Sequence, residues 1–371
     1  MANSLGVRGY HFIEFYVGSA KMWAYWLAKA FSMKVTAYSG PEKGIKDRVS
    51  YLLTKNSMKF LVTSALKPYN YDVLNFVNRH GDGVKRWSLE VENVEDAFNF
   101  AIKNGGIPSR RPKKYEDDNG YVYDAAIKLY DDSEIVFFNN DNYRGNFRPG
   151  FGDPVLKINI DTIDTCLDKV DHIVGNVREN EMDLWVNYLN KTLGLETFLE
   201  FGVGDISTKY SALLSKVVRS KDKIIRNPIN EPYDGLKKSQ IEEYIDEYTG
   251  SGIQHIAITT DNIIETIKNM RLNGVEFLTT PPDTYYEMLK EKGWEITEDI
   301  NELKKYGILC DLEGEGYLLQ LFTKPIGDRP TFFFEIIQRR KGAEGFGQGN
   351  FQALFESIER DQILRGNFDK E

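Results

Sequence analysis

Cysteine is nearly absent. The 371-residue chain holds two, Cys166 and Cys310, with no zinc-like spacing and no disulfide framework. Long apolar runs are missing as well: no stretch approaches the roughly 20 residues that a membrane span needs. There is no long basic stretch and the net charge is −9. That excludes nucleic acid and an anionic membrane surface as the main partner. Met1 to Gly9 lacks the positively charged start and apolar run of a signal peptide. These absences lead to the expectation of a soluble, reduced protein of the cytoplasm.

What is present is ample for a core. Apolar residues make up 41% of the chain and aromatics 13%, so disorder is excluded as the default. The most informative feature is an internal repeat. Gly83 to Gly105 (GVKRWSLEVENVEDAFNFAIKNG) aligns without a gap on Gly252 to Gly274 (GIQHIAITTDNIIETIKNMRLNG). Asn93 pairs with Asn262 and Asn104 with Asn273. Each segment has the pattern of a strand, a turn and an amphipathic helix stopped by Asn-Gly. A second match sets Tyr10 to Met33 against Asp171 to Leu195, again strand before helix.

Two matches in the same order point to duplication. The expected fold is α+β: duplicated βαβββ units forming two open-barrel domains, 1–153 and 154–371. Pro149, Gly150, Gly152 and Pro154 supply turn residues where they join. One unit alone would leave an open sheet edge, so units are expected to close in pairs around a ligand-sized space. The charged segment 285–303 is helical in pattern and is expected to decorate the surface. Trp23, Tyr25 and Trp26 fit either an interface or a core.

Histidine is scarce: His11, His80, His172 and His255 are the whole supply. His172 and His255 sit in the first strands of the two units of the second half, inside DHIVGNV and QHIAITT. One such histidine is ordinarily a hydrogen-bonded core residue; two at repeat-related positions lower that reading. Glu335 stands between Phe332-Phe333-Phe334 and Ile336-Ile337, in a strand that looks buried on both faces. An ionised carboxylate there is costly unless paired or bound to metal; the plain alternative is an ion pair with Arg339 or Arg340. Two histidines and a carboxylate with no cysteine match the facial triad of non-haem Fe(II) oxygenases. In the first half the alignment sets Arg86 at the place of His255, a looser match sets Asn139 at that of Glu335, and His11 lies opposite His172. The first domain is therefore expected to be a degenerate copy, with one Fe(II) per chain in the second.

Several segments resemble the 4-hydroxyphenylpyruvate dioxygenase family of the vicinal-oxygen-chelate superfamily. They are DHIVGNV (171–177), PINEP (228–232), KKSQIEEY (237–244), GIQHIAITTDNI (252–263), YLLQLFTKP (317–325), DRPTFFFEIIQRR (328–340) and GFGQGNFQALFESIERDQ (345–362). The likeness runs over nearly the whole chain. It implies His172, His255 and Glu335 as iron ligands, the set already chosen from the residues. It further implies Ser215, Asn230, Gln240 and Gln320 as catalytic polar groups. Gln254, Phe322, Phe333, Phe346 and Phe351 are implied as substrate-binding residues. Gln254 adjoins His255 and would point the other way in a regular strand. The segment 216–227, KVVRSKDKIIRN, is more charged than the family pattern.

The implied reaction takes 4-hydroxyphenylpyruvate and O2 to homogentisate and CO2, in tyrosine and phenylalanine catabolism, with a homodimer favoured. Two competitors share the fold: 4-hydroxymandelate synthase and a non-catalytic, drug-sequestering binding protein. The glycines of GFGQGN lack the strand, helix and acidic partner of a dinucleotide site. They are expected to form a hinge before a C-terminal helix capped by Asn350. That helix is either a packed core element or a lid. KSQIEEYIDEY is expected to be a solvated helix apart from Gln240.

Overall fold

The computed structural model describes residues 5–158, 160–202, 212–233, 235–278, 281–291 and 295–366, without the side chains of 212 and 351–355. The first half runs β1 (Val7–Tyr16), α1 (Ala20–Ala30), β2 (Lys34–Ser39), β3 (Arg48–Lys55), β4 (Met58–Ala65), α2 (Tyr71–His80), β5 (Gly83–Val91), α3 (Val94–Lys103), β6 (Pro108–Asp117), β7 (Gly120–Leu129) and β8 (Ser133–Asn139). The second begins β9 (Leu167–Asn176), α4 (Met182–Leu193), β10 (Glu196–Phe201), β11 (Ala212–Arg219), β12 (Arg226–Tyr233), α5 (Gln240–Tyr248), β13 (Gly252–Thr260) and α6 (Ile263–Leu272). It continues with α7 (Asp283–Glu291), α8 (Ile300–Tyr306), β14 (Leu309–Glu313), β15 (Gly316–Phe322), β16 (Phe333–Arg340) and α9 (Phe351–Arg365).

Each half is two βαβββ units forming one curled eight-stranded sheet. The strand orders are β2-β3-β4-β1-β5-β8-β7-β6 and β10-β11-β12-β9-β13-β16-β15-β14. The first strands of paired units meet antiparallel, β1 with β5 and β9 with β13. That seam closes the edge one unit leaves open. The result is the glyoxalase-like, vicinal-oxygen-chelate fold. The segment between β8 and β9 joins the sheets, and the expected boundary at 153/154 falls inside it.

Local chemistry explains the repeat. Asn93 accepts from the backbone N–H of Glu95 and Asp96, and Asn262 from that of Glu265, so each caps its helix. At the other end Gly105 and Gly274 take φ of +96° and +95°, a region that favours glycine.

One apolar cluster draws on both halves. Phe334 meets Phe31 at 4.7 Å and Phe60 at 5.8 Å, and Trp26 stacks on it at 6.4 Å. Trp23 and Trp26 thus belong to the core between halves. Both cysteines are free, Cys166 exposed and Cys310 buried. Among the described residues no helix is long and apolar enough to cross a membrane.

Three local expectations are corrected. Helix α5 is not solvated: Ile241, Glu243, Tyr244 and Tyr248 are buried. Its face packs on α2, where Tyr248 stacks on His80 at 4.2 Å. The insertion does more than decorate, since Tyr286, Leu289 and Leu303 are buried. Its Glu298 accepts from Arg340 at 2.9 Å, Gln338 at 2.6 Å and Tyr317 at 2.6 Å, tying it to β15 and β16. Asn350 makes no side-chain capping bond; its side-chain Oδ1 accepts from the Tyr285 hydroxyl at 2.8 Å.

Candidate metal centre

Strands β9, β13 and β16 lie side by side. Ala257 pairs with His172 on one side and Glu335 on the other. Cross-strand partners share a face, and His255, two residues from Ala257, shares it too. Ala257 contributes only a methyl group between them. The donor atoms of His172, His255 and Glu335 all lie within 4.8 Å of one another, and all three residues are buried. Glu335 Oε2 is 3.2 Å from His172 Nε2 and 3.3 Å from His255 Nε2.

Neither arginine serves as partner to Glu335. Arg339 binds Asp171 at 2.8 Å and Arg340 binds Glu298 at 2.9 Å. The ion-pair alternative for Glu335 is therefore excluded. Burial opposes the Glu335 charge, but the imidazoles, His172 foremost, hold the carboxyl down at about 2. Burial also opposes a charged His172, yet Glu335 and Asp171 keep its pKa raised. His255 is lowered, mainly by burial. On each ring Nδ1 is engaged away from the cluster, His172 with Asp171 at 2.7 Å and His255 with Gln254 at 2.9 Å. Both Nε2 atoms then face Glu335. Two imidazoles and a carboxylate with no thiolate are a donor set that fits a divalent iron.

A pocket opens at the three residues, which form part of its lining. Ser215, Asn230, Gln240 and Gln254 line it, with Phe322, Phe333 and Phe346. Gln254 reaches the pocket because it is the extra residue of a β-bulge: Ile253 pairs with Gly175 and His255 with Val174. Its carbonyl oxygen is occupied by His255, leaving its amide N–H groups to donate. Gln320 does not line the pocket. It is fully buried beside Gly347, and among the described residues its amide nitrogen and oxygen have no hydrogen-bond partner. Phe351 starts α9, but its side chain lies outside the described residues. Sequence reasoning missed Val174, Leu213, Val217 and Pro228, which also line the pocket. Each lies two residues from a chosen one, so the strand period of two was the available signal.

Comparison with known proteins follows the same line. The Glyoxalase/Bleomycin resistance protein/Dioxygenase superfamily profile matches residues 169–297. A 4-hydroxyphenylpyruvate dioxygenase of Yarrowia lipolytica is 42% identical over 99% of this chain and 95% of its own. That of Xenopus tropicalis is 42% identical over 96% of this chain and 92% of its own. The Dictyostelium discoideum enzyme is 40% identical over 97% of this chain and all of its own. The chain belongs to the 4-hydroxyphenylpyruvate dioxygenase family. A solved mutant of 4-hydroxymandelate synthase from Streptomyces coelicolor superposes with a TM-score of 0.84 at 24% identity, covering 96% of this chain and 100% of its own. That likeness concerns the fold alone.

Within this dioxygenase-family chain the first half has lost the donors, and register corrects two of the expected equivalences. Ser88, the match of Ala257, pairs with Val136. Val136, not Asn139, therefore stands where Glu335 stands. Ile13 pairs with Trp87 as Ile173 pairs with Ile256, so Phe12, not His11, stands where His172 stands. A shift of one residue turns a side chain to the opposite face. Phe12 and Val136 join Leu52, Leu61 and Phe138 in an apolar cluster. Arg86 does hold the His255 position, paired with Glu14 at 3.1 Å and Glu134 at 3.0 Å. His11 stacks on Phe138 at 4.6 Å, and burial, then Lys59, lowers its pKa to about 3.

Proposed function

We propose that this chain converts 4-hydroxyphenylpyruvate and O2 to homogentisate and CO2, using one Fe(II) held by His172, His255 and Glu335. The observation that carries this reading is the placement of three buried donor atoms within 4.8 Å of one another at the wall of an aromatic pocket. Its substrate follows the names of relatives at about 40% identity. Bound there, Fe(II) would supply O2 activation and Lewis acidity for a 2-oxo acid. The protein's own part is orientation and dryness. Each ligand histidine has its Nδ1 engaged by a neighbouring side chain and its Nε2 on the Glu335 side. Phe322, Phe333 and Phe346 offer faces to an aromatic ring and exclude water. Ser215, Asn230, Gln240 and the Gln254 amide offer hydrogen bonds to the phenol and the oxo acid, which a buried hydroxyl requires.

Oxygen uptake by the Fe(II)-loaded protein with 4-hydroxyphenylpyruvate, followed by product identification, tests the reading. Stoichiometric homogentisate is expected. Formation of 4-hydroxymandelate would move the chain to the synthase branch, and binding without O2 uptake would make it a binding protein. The proposal also includes a homodimer in the cytoplasm, checked by light scattering and by localisation of the tagged full chain.

A further inference from the structure

Strand β9 departs from regular pairing beside the metal position. His172 pairs with Ala257 and Val170 with Ile258, so Asp171 is an extra residue without a partner on β13. The bulge lets the Asp171 carboxylate turn back onto the ring of its own neighbour. Oδ2 accepts from His172 Nδ1 at 2.7 Å. Arg339 grips both carboxylate oxygens, with Nε at 3.0 Å and Nη2 at 2.8 Å. Arg226 Nη1 lies 3.4 Å from Oδ1. The same Arg339 donates through Nη1 to the Gly345 carbonyl at 2.6 Å. The next residue, Phe346, sets its ring edge-on to His172 at 5.0 Å. Arg226 is fixed from the first half: Tyr10 Oη donates to its carbonyl at 2.8 Å and accepts from its N–H at 3.1 Å.

We infer that Asp171 is the positioning residue of the metal centre, holding His172 in the tautomer whose Nε2 lone pair faces the metal position. Arg339 and Arg226 hold Asp171 in turn, so the ligand's orientation is tied to the segment before α9 and to the first half. The inference rests on the metal-centre reading. The two histidines are supported unequally. His172 leans on a carboxylate clamped by two guanidiniums, His255 on a neutral amide. An anionic partner raises ligand basicity more than an amide does. Asp171 therefore matters more to metal affinity than Gln254, although neither touches the metal position.

The test is titration of the full-length apoprotein, anaerobically with Fe(II) and separately with Co(II), whose visible bands report ligand geometry. In Asp171→Asn one acceptor oxygen becomes a donor and cannot serve both His172 and Arg339. Affinity for both ions is expected to fall roughly 10- to 100-fold, as for other outer-shell partners, with altered Co(II) bands. Gln254→Glu is expected to keep or raise affinity. If Asp171→Asn does not fold, Asp171→Glu keeps the charge and the arginine pairs but displaces the oxygen, and the same loss is expected. Histidine-selective 15N spectra of the full chain loaded with diamagnetic Zn(II), assigned by loss of one signal in His172→Ala, should show His172 protonated on Nδ1. Wild-type affinity and unchanged bands in a folded Asp171 variant, or His172 protonated on Nε2, would overturn the inference. A His172→Ala variant that binds as tightly as wild type would instead overturn the metal-centre reading beneath it.

Discussion

At the scale of single residues, Glu335 concentrates the chemistry. It is buried, both arginines nearby are paired with other carboxylates, and among the described residues its ion-pair contacts are to two imidazoles. Outer-shell partners of metal ligands are worth about 10- to 100-fold in affinity. Glu335→Ala should therefore weaken Fe(II) binding by more than about 100-fold and abolish turnover, while circular dichroism stays native. Retained turnover in that variant would remove Glu335 from the centre. Gly347 makes a second test. Its φ is +77°, and a Cβ there would lie 2.3 Å from Gln320 Nε2. Left-handed backbone costs an L-residue about 1–2 kcal/mol, and the buried Gln320 amide must also move. Gly347→Ala is expected to lower kcat/KM with metal content unchanged. Unchanged kinetics would show that the Gln320 amide and this backbone play no part in turnover.

At the scale of elements, α9 borders the pocket. Ile358 lines the pocket, and Arg365 binds Glu243 of α5 at 2.7 Å. The helix thus rests on α5, whose first residue is Gln240. The metal donors all sit on β9, β13 and β16. Removing residues after Gly349 should therefore leave metal binding near wild type. O2 consumption should persist at a lower rate and uncouple from homogentisate, because water reaches the site. Loss of metal together with unfolding would instead make α9 a core element. Iron content, thermal unfolding and coupled product yield, measured on one sample, separate the two. The burial of α5 itself was legible in part: Ile241, Tyr244 and Tyr248 follow the three- and four-residue spacing of a helix face. The charges of KSQIEEYIDEY masked it, and its partner, α2, lies far away in the sequence.

At the scale of the whole molecule, the halves share a core while only one keeps the donors. Phe334 illustrates the division. Its neighbours Phe333 and Glu335 face the pocket, while Phe334 packs on Phe31, Phe60 and Trp26 of the first half. Phe334→Ala should cost about 3–5 kcal/mol, the usual range for a buried phenylalanine. Unfolding should remain a single transition, since the cluster spans both halves. Two separated calorimetric transitions would show that the halves melt independently. The stoichiometry follows from the same comparison. With Phe12, Arg86 and Val136 at the equivalent positions, metal analysis of fully active protein should find one iron per chain; two tightly bound irons would contradict it.

The duplication, the βαβββ order and the choice of His172, His255 and Glu335 as residues that would meet were all legible in the amino-acid sequence. Each is written in local patterns: a repeat, an alternation of period two, a polar residue in an apolar strand. What the first half holds in place of the ligands was decided by tertiary structure. Asn139 and His11 look equivalent to Glu335 and His172 by letter, but strand pairing assigns Val136 and Phe12. The roles of Asp171 and Gln254 likewise depend on bulges that bring each beside its histidine. Arg339 and Arg340 both stand close to Glu335 in the sequence, and the fold gives one to Asp171 and the other to Glu298. The physical reason is common to all of these. Side chains alternate faces at every residue of a strand, so one extra residue or one step of register reassigns every contact, and register is set by hydrogen bonds to distant strands.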